Sequence, residues 1–320
     1  MKRKLSFVFI LAVVMTMALV ACGKDQEDEN KQTAKKENKS EVYTIEHAMG
    51  STDIEGTPKK IVILTNEGIE ALLAMGVKPV GAVKPPIGDS WYKHLADELE
   101  GVQVVGTELE VNLEAIAKLE PDLIIGNKMR HEKIYDHLNG IAPTVFAETL
   151  RGEWQDNFKL YAKAINKEKE GKKVLDEYNQ RISSLKEKLG AETKKEISMV
   201  RFMPGDVRIY HKDSFSGVIL DQLGFARPAE QDKDDFAERN VTKERIPAMD
   251  GDMIFYFVYD TGDGEATKAA KDWINDPLFQ NLHATKKGNV HQVDDVIWNT
   301  AGGVLAANLM LDDIEEIFLK

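Results

Sequence analysis

Cationic side chains recur where apolar runs end. Lys84 follows a run at 79–83, and Lys128 and Arg130 follow another at 123–126. Arg201 closes a run at 197–202, while Arg208, Tyr210 and His211 lie on the next. Open α/β sheets bind their ligands beyond the carboxyl ends of the strands. A guanidinium there suits a carboxylate or a metal-chelate oxygen, because its planar fork donates two parallel hydrogen bonds. Each residue alone reads as a solvated surface charge. Placed alike, the set points to an anion-binding pocket. Trp298 and Asn299 stand in Trp298-Asn299-Thr300-Ala301-Gly302-Gly303, just before the last helical stretch. Trp298 reads equally as a pocket wall against the apolar arms of a chelate or as a core anchor. Tyr256 and Tyr259 read as packing residues beside a strand end.

Signatures of catalysis are missing. The sequence holds no G-x-S-x-G, no phosphate-binding P-loop and no G-x-G-x-x-G. His131 and His137 point about 120° apart on a helix of 3.6 residues per turn, unlike the i, i+4 pair of a zinc helix. The expectation is a binding protein with no intrinsic cofactor and no metal site built from its own side chains.

The elements that must position these residues alternate. Strand patterns at 60–64, 79–83, 102–105, 123–125 and 144–146 are separated by helical stretches, the first at 66–74 with Asn66 as its cap and Gly76 as its end. Such alternation predicts a mainly parallel α/β sheet. From 153 to 189 no strand pattern occurs, and Val174, Tyr178, Ile182, Leu185 and Leu189 recur at helical spacing. A helix over 167–189 is roughly 35 Å long at 1.5 Å per residue. It reads as a solvated coiled-coil arm or as a strut between two lobes. The strut fits better, because strands resume at 197–202, 207–210, 253–258 and 290–293, with helices at 216–223, 243–249 and 303–318.

An internal repeat supports two lobes of related design. Residues 111–124 and 241–254 align without a gap and share Val, Glu, Ile, Asp and Ile at matching positions. Each copy reads as a capped helix, a tight turn and a buried strand, with Asn112 and Thr242 as the caps. Chance likeness of two helix–turn–strand units is the alternative. Glu114 and Glu244 are the matching carboxylates, and each also complements a helix N-terminus.

The N-terminus reads as an export signal. Lys2, Arg3 and Lys4 precede an apolar run at 5–20, followed by Leu19-Val20-Ala21-Cys22-Gly23. Cys22, the only cysteine, excludes an intrachain disulfide. It reads as an incidental residue at the end of a signal peptide or, in better agreement with the pattern, as a lipobox cysteine whose acyl chains anchor the protein. Residues 23–40 have no aromatic or branched aliphatic side chain and read as a flexible tether. Loss of the three leader cations takes the formal charge from −12 to −15, which argues against a nucleic-acid partner. The expected organisation is a signal peptide at 1–21, lipidated Cys and tether at 22–40, an α/β lobe at 41–165, an interlobe helix at 166–190 and a second α/β lobe at 191–320.

Over the whole mature region the sequence resembles iron-siderophore substrate-binding lipoproteins of Gram-positive bacteria. The carriers are residues 65–76, Asn112-Leu113-Glu114 with 121–125, residues 129–135, 141–144 and 208–210, and the segment 298–303. The resemblance is to the branch that binds citrate-based and hydroxamate siderophores, such as the receptors of staphyloferrin A and schizokinen. It implies two α/β lobes joined by one long helix, the class III arrangement of periplasmic binding proteins. It implies a monomer with a ferric siderophore in the cleft and delivery to an ABC permease at the cell membrane. It assigns ligand contacts to Arg130, Arg208 and Tyr210, with Lys84 in the first lobe. Arg201 and His211 follow from position alone, because the segment 201–206 departs from the family pattern. Glu114 and Glu244 take the positions of the carboxylates that meet the permease. A haem or cobalamin receptor of the same fold, or a lipid-anchored cell-wall enzyme, stands as the alternative.

Overall fold

A computed structural model describes residues 41–85 and 91–319. The expected signal peptide, lipidated Cys22 and tether lie outside them. Two five-stranded sheets organise the described chain, one on each side of a long helix. The first contains β3 (Ile61–Ile63), β4 (Gly81–Lys84), β5 (Gln103–Thr107), β6 (Leu123–Asn127) and β7 (Thr144–Ala147). Its order is β5-β4-β3-β6-β7 and every pairing is parallel. Helices cover both faces, so β3 and β6 are buried along their whole length. A hairpin that the sequence reading passed over precedes this sheet. Its strands β1 (Val42–His47) and β2 (Gly50–Glu55) pair antiparallel. Their mostly polar pattern sends only Ile45 and Ile54 into the core.

The second sheet contains β8 (Ile197–Met203), β9 (Asp206–Tyr210), β10 (Ala237–Glu238), β11 (Met253–Val258) and β12 (Val290–Gln292) in the order β10-β9-β8-β11-β12. Strands β8, β11 and β12 run parallel, and β9 is antiparallel to both neighbours. The β8–β9 hairpin turns through Gly205 at φ +70°. That turn puts Arg201 and Arg208 in direct register.

The first helix spans Asn66–Ala74, but its cap is Thr65 and not Asn66. Thr65 is still extended, and its hydroxyl accepts from the Gly68 N–H at 3.1 Å. Asn66 is left free to donate from Nδ2 to Glu108 at 3.0 Å.

The long helix, Glu168–Leu189, buries Leu175, Tyr178, Ile182, Leu185 and Leu189 on one face. It packs against the helix Trp154–Ala164 and the last helix, Val304–Leu319, so it is a strut and not a solvated arm. Arg181 clamps it to the last helix by donating to the Asn308 carbonyl at 2.9 Å and pairing with Asp312. The last helix also reaches the first lobe. Glu70, fully buried, accepts from the Ala306 N–H at 2.9 Å, and Gly303 lies so close that a Cβ there would sit 2.7 Å from Cβ of Glu70.

The two repeat copies diverge in detail. Asn112 caps Leu113–Leu119 by accepting from the Ala115 N–H at 3.0 Å. The second copy, Lys243–Met249, is a 3-10 helix with Pro247 inside it, and Thr242 makes no side-chain capping bond. The proline ring clashes with the carbonyl four residues back, which disfavours α-helical winding there. Among the described residues no helix is long and apolar enough to cross a membrane.

Candidate functional site

A cavity of about 530 Å³ opens between the two sheets. Its cationic wall holds five arginines. Arg130 sits in the short helix that follows β6, Arg151 in the turn before Trp154–Ala164, Arg201 and Arg208 on β8 and β9, and Arg239 just past β10.

These arginines are not equivalent. Arg201 is 6% exposed and fully committed. Its Nε and Nη2 donate to the two oxygens of Asp295 at 2.6 and 2.8 Å, Nη1 donates to the Tyr210 hydroxyl at 3.3 Å, and its guanidinium lies 4.6 Å from the Tyr259 ring centroid. Arg208 donates to Asp206 at 2.6 Å. Arg130, Arg151 and Arg239 form no ion pair among the described residues. Arg151 and Arg239 both overlie the Phe236 ring, at 4.0 and 5.5 Å from its centroid. Burial, with repulsion from Arg239, lowers the pKa of Arg151. Its backbone is left-handed at φ +85°, a conformation that costs a non-glycine residue free energy.

Another part of the lining is acidic. Glu67 and Glu108 line it with Tyr92 and Thr300. Glu108 accepts from the Asn66 N–H at 2.6 Å. Burial pushes its pKa up, opposed by the Asn66 N–H and by Arg130. Glu67 accepts at Oε1 from Asn157 at 2.9 Å and from the Tyr161 hydroxyl at 2.7 Å. Burial still pushes its pKa up to about 8.

Of the residues singled out from sequence, Arg130, Arg201, Arg208, Tyr210 and Asn299 line this cavity. Lys84, His211 and Trp298 do not. Lys84 ends β4 outside the lining, and His211 is buried with Nδ1 paired to Asp235. Trp298 is 0% exposed, packs at 4.8 Å from Phe255 and donates from Nε1 to Asp313 at 2.8 Å. It is a core anchor and not a pocket wall. Sequence reading missed Arg151, Arg239, Phe236, Glu67 and Glu108. Arg151 sits in a turn outside any strand pattern. Glu67 lies within the segment 65–76, where its residue type alone points to no role. Away from the cavity, Glu114 and Glu244 are both exposed and form no ion pair among the described residues. A hydrogen bond from Thr242 holds the Glu244 carboxyl below its ordinary range.

The sequence pattern of the family described as periplasmic binding protein matches residues 61–296. The chain belongs to that family. Relatives of this periplasmic binding protein include the probable siderophore-binding lipoprotein YfiY of Bacillus subtilis, 53% identical over all of this chain and 99% of the relative. The Fe(3+)-citrate-binding protein YfmC of the same organism is 31% identical over 95% of each chain. Among solved structures, Staphylococcus aureus SirA complexed with staphyloferrin B superposes with a TM-score of 0.80 at 34% identity, covering 86% of this chain and 97% of SirA. The two-lobed α/β fold with its long connecting helix is the fold of these proteins.

Proposed function

We propose that this binding protein captures a ferric siderophore outside the cell and delivers it to an ABC permease. The observation that carries the reading is the set of three cavity arginines, Arg130, Arg151 and Arg239, that lack a carboxylate partner among the described residues. Arg151 is half-buried and Arg130 and Arg239 are exposed, so all three guanidinium forks are open to pair with an anionic ligand. A citrate-based chelate or citrate-hydroxamate brings carboxylate oxygens to guanidinium forks, while the iron stays held by the chelate. Names of the relatives support this class of ligand. Arg208 and Tyr210 complete the second lobe's side, and Asn299 the floor. Arg201 orients Tyr210 and Tyr259 rather than spending its charge on the ligand.

Binding is the whole task in this reading, with no reaction catalysed. Acylated Cys22 holds the protein at the outer face of the membrane, and the lipoprotein names of relatives support that anchor. Glu114 and Glu244, one exposed carboxylate per lobe, meet cationic residues of the permease. Mixing the protein with ferric hydroxamates, ferric citrate and haem, and following intrinsic tryptophan fluorescence, tests the reading. Saturable quenching by a ferric siderophore is expected. Saturation by haem alone would overturn it.

A further inference from the structure

The acidic wall of the cavity is unexplained by capture of an anion. Two carboxylates facing the same space as a multiply charged chelate would repel it if both were ionised. Glu67 is 6% exposed, and both donors that reach it, Asn157 Nδ2 and the Tyr161 hydroxyl, go to Oε1. Oε2 has no partner among the described residues, although the side chain lines the cavity. Burial and the neighbouring carboxylates Glu108 and Glu70 oppose a negative charge on Glu67, outweighing the hydrogen bonds from Asn157 and Tyr161 that favour one. Glu108 faces it from the segment after β5, Glu70 from its own helix and Tyr161 from Trp154–Ala164. Glu70 carries its own partner, His94, at 2.7 Å, and Arg130 acts on Glu108. From the last part of the chain Gly303 comes close: a Cβ there would lie 2.9 Å from the Glu67 carbonyl oxygen.

We propose that the Glu67 carboxyl is held protonated in the cavity wall and donates a hydrogen bond from Oε2 to an oxygen of the bound chelate. The raised pKa of Glu67 agrees with this geometry. A neutral acid suits the place, because it presents a donor to an anionic ligand without adding a charge. Ionisation turns that donor into an acceptor-only carboxylate facing an electron-rich oxygen, so the site loses affinity as pH rises. Glu67 thereby becomes a specificity residue: it accepts chelates that present an oxygen acceptor there and rejects those that present an acceptor-free apolar surface.

The inference rests on the proposed siderophore-binding function, and one experiment separates the two. Wild-type protein and Glu67→Gln are titrated with the same ferric citrate-hydroxamate chelate from pH 6 to pH 9.5. Gln keeps both the acceptor for Asn157 and Tyr161 and a neutral donor. The wild type is expected to lose about tenfold in affinity per pH unit above the pKa of Glu67, and Glu67→Gln to hold its affinity over that range. Identical pH profiles for the two proteins, with binding intact at pH 7, overturn the Glu67 role alone. Absence of binding at pH 7 in the wild type overturns the siderophore reading, and the Glu67 role with it. An infrared carbonyl band of a protonated carboxyl at pH 7, present in the unliganded wild type and absent in Glu67→Gln, gives a readout independent of ligand. Its absence from the wild type also overturns the proposal.

Discussion

Arg151 lies with its guanidinium 4.0 Å from the centroid of the Phe236 ring, so a side chain of the first lobe rests on an aromatic of the second. The backbone of Arg151 is left-handed at φ +85°. Such strain costs about 1–3 kcal/mol and persists where the surroundings impose it. The cation–π contact returns about 0.5–1 kcal/mol. Arg151→Gly removes both, so thermal stability is expected to stay level or rise. Siderophore affinity is expected to fall at least tenfold, since a cavity cation goes with it. Melting curves and a binding titration on the same variant check the two halves.

The pKa of Glu67 is raised from its ordinary value to about 8 by burial. A raised pKa means that the folded state holds its proton where the unfolded state has released it. Stability from this group is therefore complete below the ordinary carboxylate value, falls as pH rises, and levels off above about 8. Within that window the slope approaches about 1.4 kcal/mol per pH unit. Glu67→Gln is expected to flatten it, as urea unfolding at several pH values would show.

Gly303 has no room for a side chain. A Cβ there would meet Glu70 Oε2 at 2.6 Å and the Glu67 carbonyl oxygen at 2.9 Å. Glu70 cannot retreat without releasing the Ala306 N–H and His94. Gly303→Ala is expected to cost about 1–3 kcal/mol, the range for overpacking a filled interior. Chemical denaturation checks this, and a loss under 0.5 kcal/mol (, about the size of a neutral surface change) would mean that the first and last helices separate easily.

Glu114 and Glu244 are exposed and lie outside the cavity lining, and in the proposed delivery step they meet the permease. Charge pairs at such a contact set orientation and encounter rate. Glu114→Arg combined with Glu244→Arg is expected to leave siderophore titration unchanged while iron uptake by cells falls sharply. Circular dichroism guards against a folding defect, because both carboxylates also complement a helix N-terminus. Normal uptake would reduce them to that local role.

Most of the architecture was legible from periodicity. Val-, Ile- and Phe-rich runs became buried strands, and the stripe Tyr178, Ile182, Leu185, Leu189 became the packed face of the strut. The hairpin β1–β2 escaped because its inward residues, Ile45 and Ile54, are too few to make a pattern. In the site, the arginines on strands legible in the sequence, or directly after one, were found and the two in connecting segments were not. Arg201, Arg208 and Tyr210 were readable from their strands, whereas Arg151 and Arg239 are brought in by turns. Trp298 shows the limit of residue type: a buried indole whose N–H finds Asp313 looks, in sequence, like one that faces a ligand. Pairing is equally invisible in sequence, because Asp295, which occupies Arg201, lies 94 residues away.

Isothermal titration of a ferric citrate-based siderophore into the wild type, Arg130→Ala and Arg208→Ala tests the central claim most directly. The expected result is one-to-one binding to the wild type, no matching signal from the metal-free chelator, and a loss of about 2–5 kcal/mol in Arg130→Ala. Arg208→Ala should also weaken binding, since it removes one of the cavity's cations. Unchanged affinity in both folded variants would contradict an arginine-lined siderophore cleft.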